Sequence, residues 1–96
     1  MMTNVMTLAV TPGSSRSYLI GTGLSPTPRG HVYELWFFHG KTPLPAATFT
    51  PTKGLALVRV PADAKGVSLA AVTIERAPGA SKPTAQPIYT GRISAS

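Results

Sequence analysis

The stretch His31-Val32-Tyr33-Glu34-Leu35-Trp36-Phe37-Phe38-His39 decides the fold class. It is rich in aromatic and β-branched residues, which fit a pleated, half-buried surface better than a helix. With a side-chain period of two, Tyr33, Leu35 and Phe37 share one face, and Val32, Glu34, Trp36 and Phe38 share the other. Both faces are substantially apolar. The expectation is a central strand with one face in the core and the other covered by a loop. The sharper alternative makes Trp36 and Phe38 a contact surface for a partner or second subunit. A second segment, Ser68–Arg76, alternates more plainly. Ala70, Val72 and Ile74 point one way, and Ala71, Thr73 and Glu75 the other, as in a half-buried strand of an antiparallel sheet.

Outward from these two, similar segments recur at about 4–11, 16–23, 46–50, 54–60 and 87–93, with 31–39 and 68–76 making seven. Turn material separates them: Pro12 to Ser15, Ser25 to Gly30, Gly40 to Pro43, Pro51 to Gly54, Pro61 to Gly66 and Pro78 to Pro83. Ten prolines spread in this way leave no room for a helix of ordinary length. The pattern predicts an all-β fold, an antiparallel β-sandwich of about seven short strands with little or no helix. At 96 residues the chain is one domain. Residues 1–15 form an N-terminal segment and first strand, 16–93 the sandwich proper, and 94–96 a tail.

Composition excludes several kinds of chemistry. There is no cysteine, so no disulfide, thiolate zinc site or thiol nucleophile. Apolar runs reach only four residues, as in Leu35 to Phe38, against roughly 18 for a membrane span. The start, Met1 to Met6, lacks a basic region followed by an apolar stretch and so reads as no secretory signal. The net charge is +6, with Glu34, Asp63 and Glu75 the only acids. Its nine Lys and Arg residues fall about one per ten positions, without a cluster. The aromatic cluster of Tyr33, Trp36, Phe37 and Phe38 has no interleaved Lys or Arg. Both observations argue against nucleic acid.

No catalytic set emerges. His31 and His39 lie at opposite ends of one strand, about 26 Å apart at ~3.3 Å per residue, too far to hold one metal. Asp63 sits in a turn where Asp serves local hydrogen bonding. Glu34 and Glu75 have the chemistry of a glycosidase pair, but two glutamates on loop-covered strands are more often structural. Gly21-Thr22-Gly23 lacks the third glycine and following helix of a phosphate loop and fits a strand end. The reading is therefore not an enzyme, with no cofactor and no metal. A carbohydrate platform of Trp36 and Tyr89 is the one small-ligand alternative.

Three segments together resemble a known family. Gly30-His31-Val32-Tyr33-Glu34-Leu35-Trp36 is similar to a Gly-x-x-Tyr-x-Leu-Trp signature. Phe49-Thr50-Pro51-Thr52-Lys53-Gly54 resembles the strand and turn that follow it. Ala71-Val72-Thr73-Ile74-Glu75, with Gly79 and Pro83-Thr84-Ala85-Gln86-Pro87-Ile88, resembles a Val-Thr-Leu-Glu…Gly…Pro-Thr-x-x-Pro ending. In this order, across residues 16–92, they look like the C-terminal extracytoplasmic domain of anti-sigma-K factors and related bacterial anti-sigma factors. The matching positions are Gly30, Tyr33, Leu35, Trp36, Val72, Thr73, Glu75, Gly79, Pro83, Thr84 and Pro87. The resemblance gives them structural roles, since the family has no catalytic set. Ala47 stands where the family often has glycine, and argues against a bulge there that needs positive φ.

The resemblance implies a membrane-anchored protein of a bacterial plasma membrane. A cytoplasmic N-terminal domain, absent here, would hold an extracytoplasmic-function sigma factor, and a transmembrane helix, also absent here, would tether this domain outside. Regulated cleavage by site proteases would free the sigma factor. The expected packing sets Tyr33, Leu35 and Phe37 across from Val72 and Ile74 of the opposite sheet. Lys41, Lys53, Lys65 and Lys82 all fall in turns. Their charge serves solubility, or lets one basic end lie against anionic lipid. The alternative function is an extracytoplasmic carbohydrate- or protein-binding module.

Overall fold

The computed structural model describes residues 5–10, 17–61 and 64–92. Asp63 and the 94–96 tail lie outside the described residues. Within them the chain forms seven strands and no helix: β1 (Val5–Val10), β2 (Ser17–Thr22), β3 (His31–His39), β4 (Thr42–Phe49), β5 (Ala56–Val60), β6 (Leu69–Arg76) and β7 (Tyr89–Arg92). They make two antiparallel sheets, one ordered β1-β2-β5 and the other β4-β3-β6-β7. The expected all-β sandwich is what forms. The decisive segment is indeed a central strand, paired with β4 on one side and β6 on the other.

The core lies between the sheets. Leu19, Ala56 and Val60 come from the three-stranded sheet, and Tyr33, Leu35, Phe37, Phe49 and Val72 from the four-stranded one. The Tyr33 and Phe49 rings, directly paired across β3 and β4, sit 5.4 Å apart. Leu24 joins this core from the β2–β3 connection and crowds Gly21, where an added Cβ would come within 2.7 Å of Leu24 Cδ1.

Three expectations need correction. First, β3 and β6 are not in opposite sheets. Leu35 pairs directly with Val72 and Tyr33 with Ile74, so these side chains lie beside one another and face β2 and β5 together. Antiparallel neighbours and facing sheets give the same alternation, so alternation could not separate the two arrangements. Second, β4 begins at Thr42, not near residue 46. Gly40 and Lys41 alone make the turn, with Gly40 at φ 64 in the first central position, where a two-residue type II′ hairpin takes glycine. Pro43 and Pro45 are tolerated because β4 is an edge strand. Third, β4 does carry a bulge. Leu35 pairs with Ala47 and Trp36 with Pro45, leaving Ala46 extra and buried. Lys53 is the one described non-glycine residue at positive φ, so this bulge forms without a left-handed residue and Ala47 is no obstacle.

Candidate functional site: a carboxylate-held strap over Trp36

The outer face of the four-stranded sheet carries Glu34, Trp36, Ala71, Thr73 and Glu75, and all five are buried although none belongs to the core between the sheets. The connection 77–88 covers them as a strap. It leaves β6 with Ala77 N–H on the Gly30 carbonyl at 2.9 Å, and rejoins the sheet with Ile88 N–H on the Val72 carbonyl at 2.8 Å. Gly79 passes so close to β3 and β4 that an added Cβ would sit 3.0 Å from Thr48 Cγ2 and 3.3 Å from Glu34 Oε1. Its φ of 131° is a conformation reserved for glycine.

Two carboxylates hold the strap down. Glu34, 2% exposed, accepts the Ala80 N–H at 2.8 Å. Glu75, 1% exposed, accepts the Thr84 N–H at 3.1 and 3.3 Å and also the Thr84 hydroxyl. The Thr73 hydroxyl donates to Glu75 Oε2 at 2.6 Å and accepts the Trp36 indole N–H at 2.8 Å. A continuous chain thus runs from Trp36 through Thr73 to Glu75 and up into Thr84. Buried charges must be compensated, and here the donors are hydroxyls and amides, in the shorter and stronger class of charge-assisted bonds.

The two glutamates differ electrostatically. Burial pushes the Glu34 carboxyl above its ordinary value; the Ala80 amide partly offsets this, and the Glu75 charge adds to it. Burial pushes Glu75 up as well, but the Thr73 hydroxyl and the Thr84 hydroxyl and amide together outweigh it, leaving its pKa lowered. Both carboxylates thus lie under the strap, almost wholly shielded from solvent and engaged by backbone and hydroxyl donors.

The structure draws most of the sequence-level residues into this one unit. Trp36, Thr73, Glu75, Gly79 and Thr84 form the strap and its seat, and Val72 receives the strap's last hydrogen bond. Pro83 and Pro87 are strap residues, and Gly30 accepts its first. Gly30 itself takes φ 77, in a turn closed by His31 N–H on the Pro28 carbonyl at 3.0 Å. Tyr33 and Leu35 point the other way, into the core, with Tyr33 OH donating to the Ser25 carbonyl at 2.6 Å. Trp36, at 0% exposure, offers no surface to a partner, and Phe38 is only half-buried. The same burial removes Trp36 from a platform with Tyr89. What the sequence did not reveal is Ala80, which binds through its backbone alone and so leaves no side-chain signal.

The histidines stay apart at the two ends of β3, with His31 Nδ1 donating to the Arg29 carbonyl at 2.9 Å. Among the described residues no three His, Cys, Asp or Glu side chains gather as metal ligands, and no helix is long and apolar enough to cross a membrane. The lysine turns do not share one end of the sandwich. Lys41 and Lys65 lie at the His39 end, where Gly66 approaches the His39 ring. Lys53 lies at the other end, where Leu24 N–H bonds the Gly54 carbonyl, and Lys82 rides on the strap.

Comparison with known proteins gives a family match and a relative. The family described as "Anti-sigma-K factor rskA, C-terminal" matches residues 2–90, taking in β1 as well as the strap. A Streptomyces griseus protein described as "Uncharacterized protein in phr 5'region" is 31% identical over 85 residues, covering 85% of this chain. The chain spans only 34% of that relative's length. No solved structure matches. The family's description is of anti-sigma factors, which are regulatory proteins. With nearly the whole sandwich inside the matched region, the chain belongs to the family of anti-sigma-K factor C-terminal domains.

Proposed function

We propose that this chain is the extracytoplasmic sensory domain of a membrane-anchored bacterial anti-sigma factor, spanning residues 16–93 with β1 as an added edge. The family match over residues 2–90 is the observation that carries this reading. In it, a separate cytoplasmic segment binds the sigma factor, a membrane helix joins the two parts, and site proteases destroy the protein on signal. The sandwich contributes by resisting unfolding and by controlling protease access. The residues shared with the family are structural here: their side chains and amides hold the strap and the core. The basic turns, spread over both ends and the strap, give weak and salt-sensitive attraction to anionic lipid rather than one adhesive end.

The test separates the two segments. The purified chain is mixed with the sigma factor, and a full-length protein lacking residues 2–90 is compared with the intact one in cells. The expected results are no binding by the chain alone, unchanged sigma binding by the truncated protein, and an altered half-life of the latter. Tight binding of the sigma factor to this chain alone would falsify the modular reading.

A further inference from the structure

The three-stranded sheet ends in an edge that is open. Of the two edges that meet along one side of the sandwich, β4 is blunted by Pro43, Pro45 and its bulge. β5 reads Ala56-Leu57-Val58-Arg59-Val60, with no proline or bulge, and pairs only with β2, while Leu55 before it is already bonded to Thr52. An edge of this kind presents a row of backbone donors and acceptors to any extended chain. Beside it runs an open groove of about 1000 Å³, floored by Phe49, Ala56 and Val58. On its outer rim Leu55 is 58% and Leu57 76% exposed, and Ile20, directly paired with Leu57, extends the apolar row.

Charge specifies the occupant. Lys53 and Arg59, both exposed, stand at the two ends of the groove, and no acid lines it. The two acids among the described residues, Glu34 and Glu75, are locked under the strap, so neither can answer those cations in a second copy. A second copy would also bring another +6 charge to the contact.

We infer that the β5 edge is a docking site for an extended segment of a partner protein, alternately apolar and with acidic residues about six positions apart. The segment adds a strand to β5. Main-chain bonds supply the pairing, alternate side chains fill the groove over Phe49 and Val58, and carboxylates meet Lys53 and Arg59.

The probe is a seven-residue peptide, glutamate at each end of five alternating valines and threonines, titrated into the isotopically labelled full chain. The expected result is shifted amides from Ala56 to Val60, with new exchange protection at those whose N–H points away from β2. Binding should weaken at least tenfold when the terminal glutamates become lysines, when the central residue becomes proline, or in Leu57→Glu. Leu57 is exposed, so that variant keeps its fold, checked by an unchanged spectrum at Tyr33 and Trp36. Equal binding of glutamate- and lysine-ended peptides, tolerance of the central proline, or no perturbation at residues 56–60 overturns the proposal. Sedimentation of the chain alone as a dimer with those amides already protected assigns the edge to a second copy and overturns it too.

Discussion

At the scale of single residues, Trp36 is the centre of a second, smaller core that only the strap encloses. Truncation to alanine is expected to cost about 3–5 kcal/mol, a large part of the stability of a small domain. Trp36→Phe keeps most of the volume but deprives Thr73 of its donor, and should cost about 1–2 kcal/mol. Urea denaturation measures both, and parent-like midpoints would place the side chain outside any core. The two glutamates give opposite pH signatures. Glu75, with its pKa lowered on folding, contributes stability that is present above the ordinary glutamate value and lost as pH falls through its folded value. Glu34, with its pKa raised, favours the folded state below the ordinary value and loses that contribution as pH rises through its folded value. Glu75→Gln should therefore lower stability at pH 7 and flatten its decline in acid. Glu34→Gln should leave stability at pH 7 equal or higher. Denaturation midpoints between pH 3 and 7 test both signs.

Elements differ in how far the sequence discloses them. β3 was legible from its run of aromatic and β-branched residues, and β6 from its alternation. The first half of β4 was not, because Pro43 and Pro45 read as turn residues until the strand is known to lie at an edge. The strap was half legible: Gly79, Thr84 and the prolines were visible as a pattern. Whether Glu34 and Glu75 face water or a covering segment depends on where residues 77–88 travel, which no local period encodes. Two substitutions probe these elements. Gly79→Ala forces a side chain into φ 131 and against Thr48 and Glu34, and is expected to cost more than about 1 kcal/mol. Its signature is faster hydrogen exchange at Ala80 and Thr84. In the turn before β5, Lys53 at φ 53 and Gly54 at φ 78 make a two-residue loop, closed by paired bonds of 2.8 and 3.0 Å between Thr52 and Leu55. This type I′ geometry favours Asn-Gly, so Lys53→Asn should stabilise the domain by about 0.5–1 kcal/mol in thermal denaturation.

Over the whole molecule, among the described residues, both acids, Glu34 and Glu75, are buried and every exposed Lys or Arg adds positive charge to the surface. Anionic vesicles are expected to retain the domain only at low ionic strength, with release well below 0.15 M salt, where the screening length is about 8 Å. Cosedimentation across a salt series reads this directly, and retention at higher salt would mean the cations converge on one surface. The strand order carries a kinetic consequence. Sheet partners are far apart in the chain: His31 meets Arg76, and Ser17 meets Val60. Each sheet can start from a local hairpin, β1-β2 or β3-β4, but neither is complete until these distant pairings close, so loop-closure entropy is spent before they reward it, and folding belongs in the millisecond-to-second range of all-β domains. Glu34 must wait for Ala80, and Glu75 for Thr84, before the strap can close. The indole becomes fully dry only at that last step, so stopped-flow fluorescence of this sole tryptophan should lag the far-ultraviolet signal of the strands.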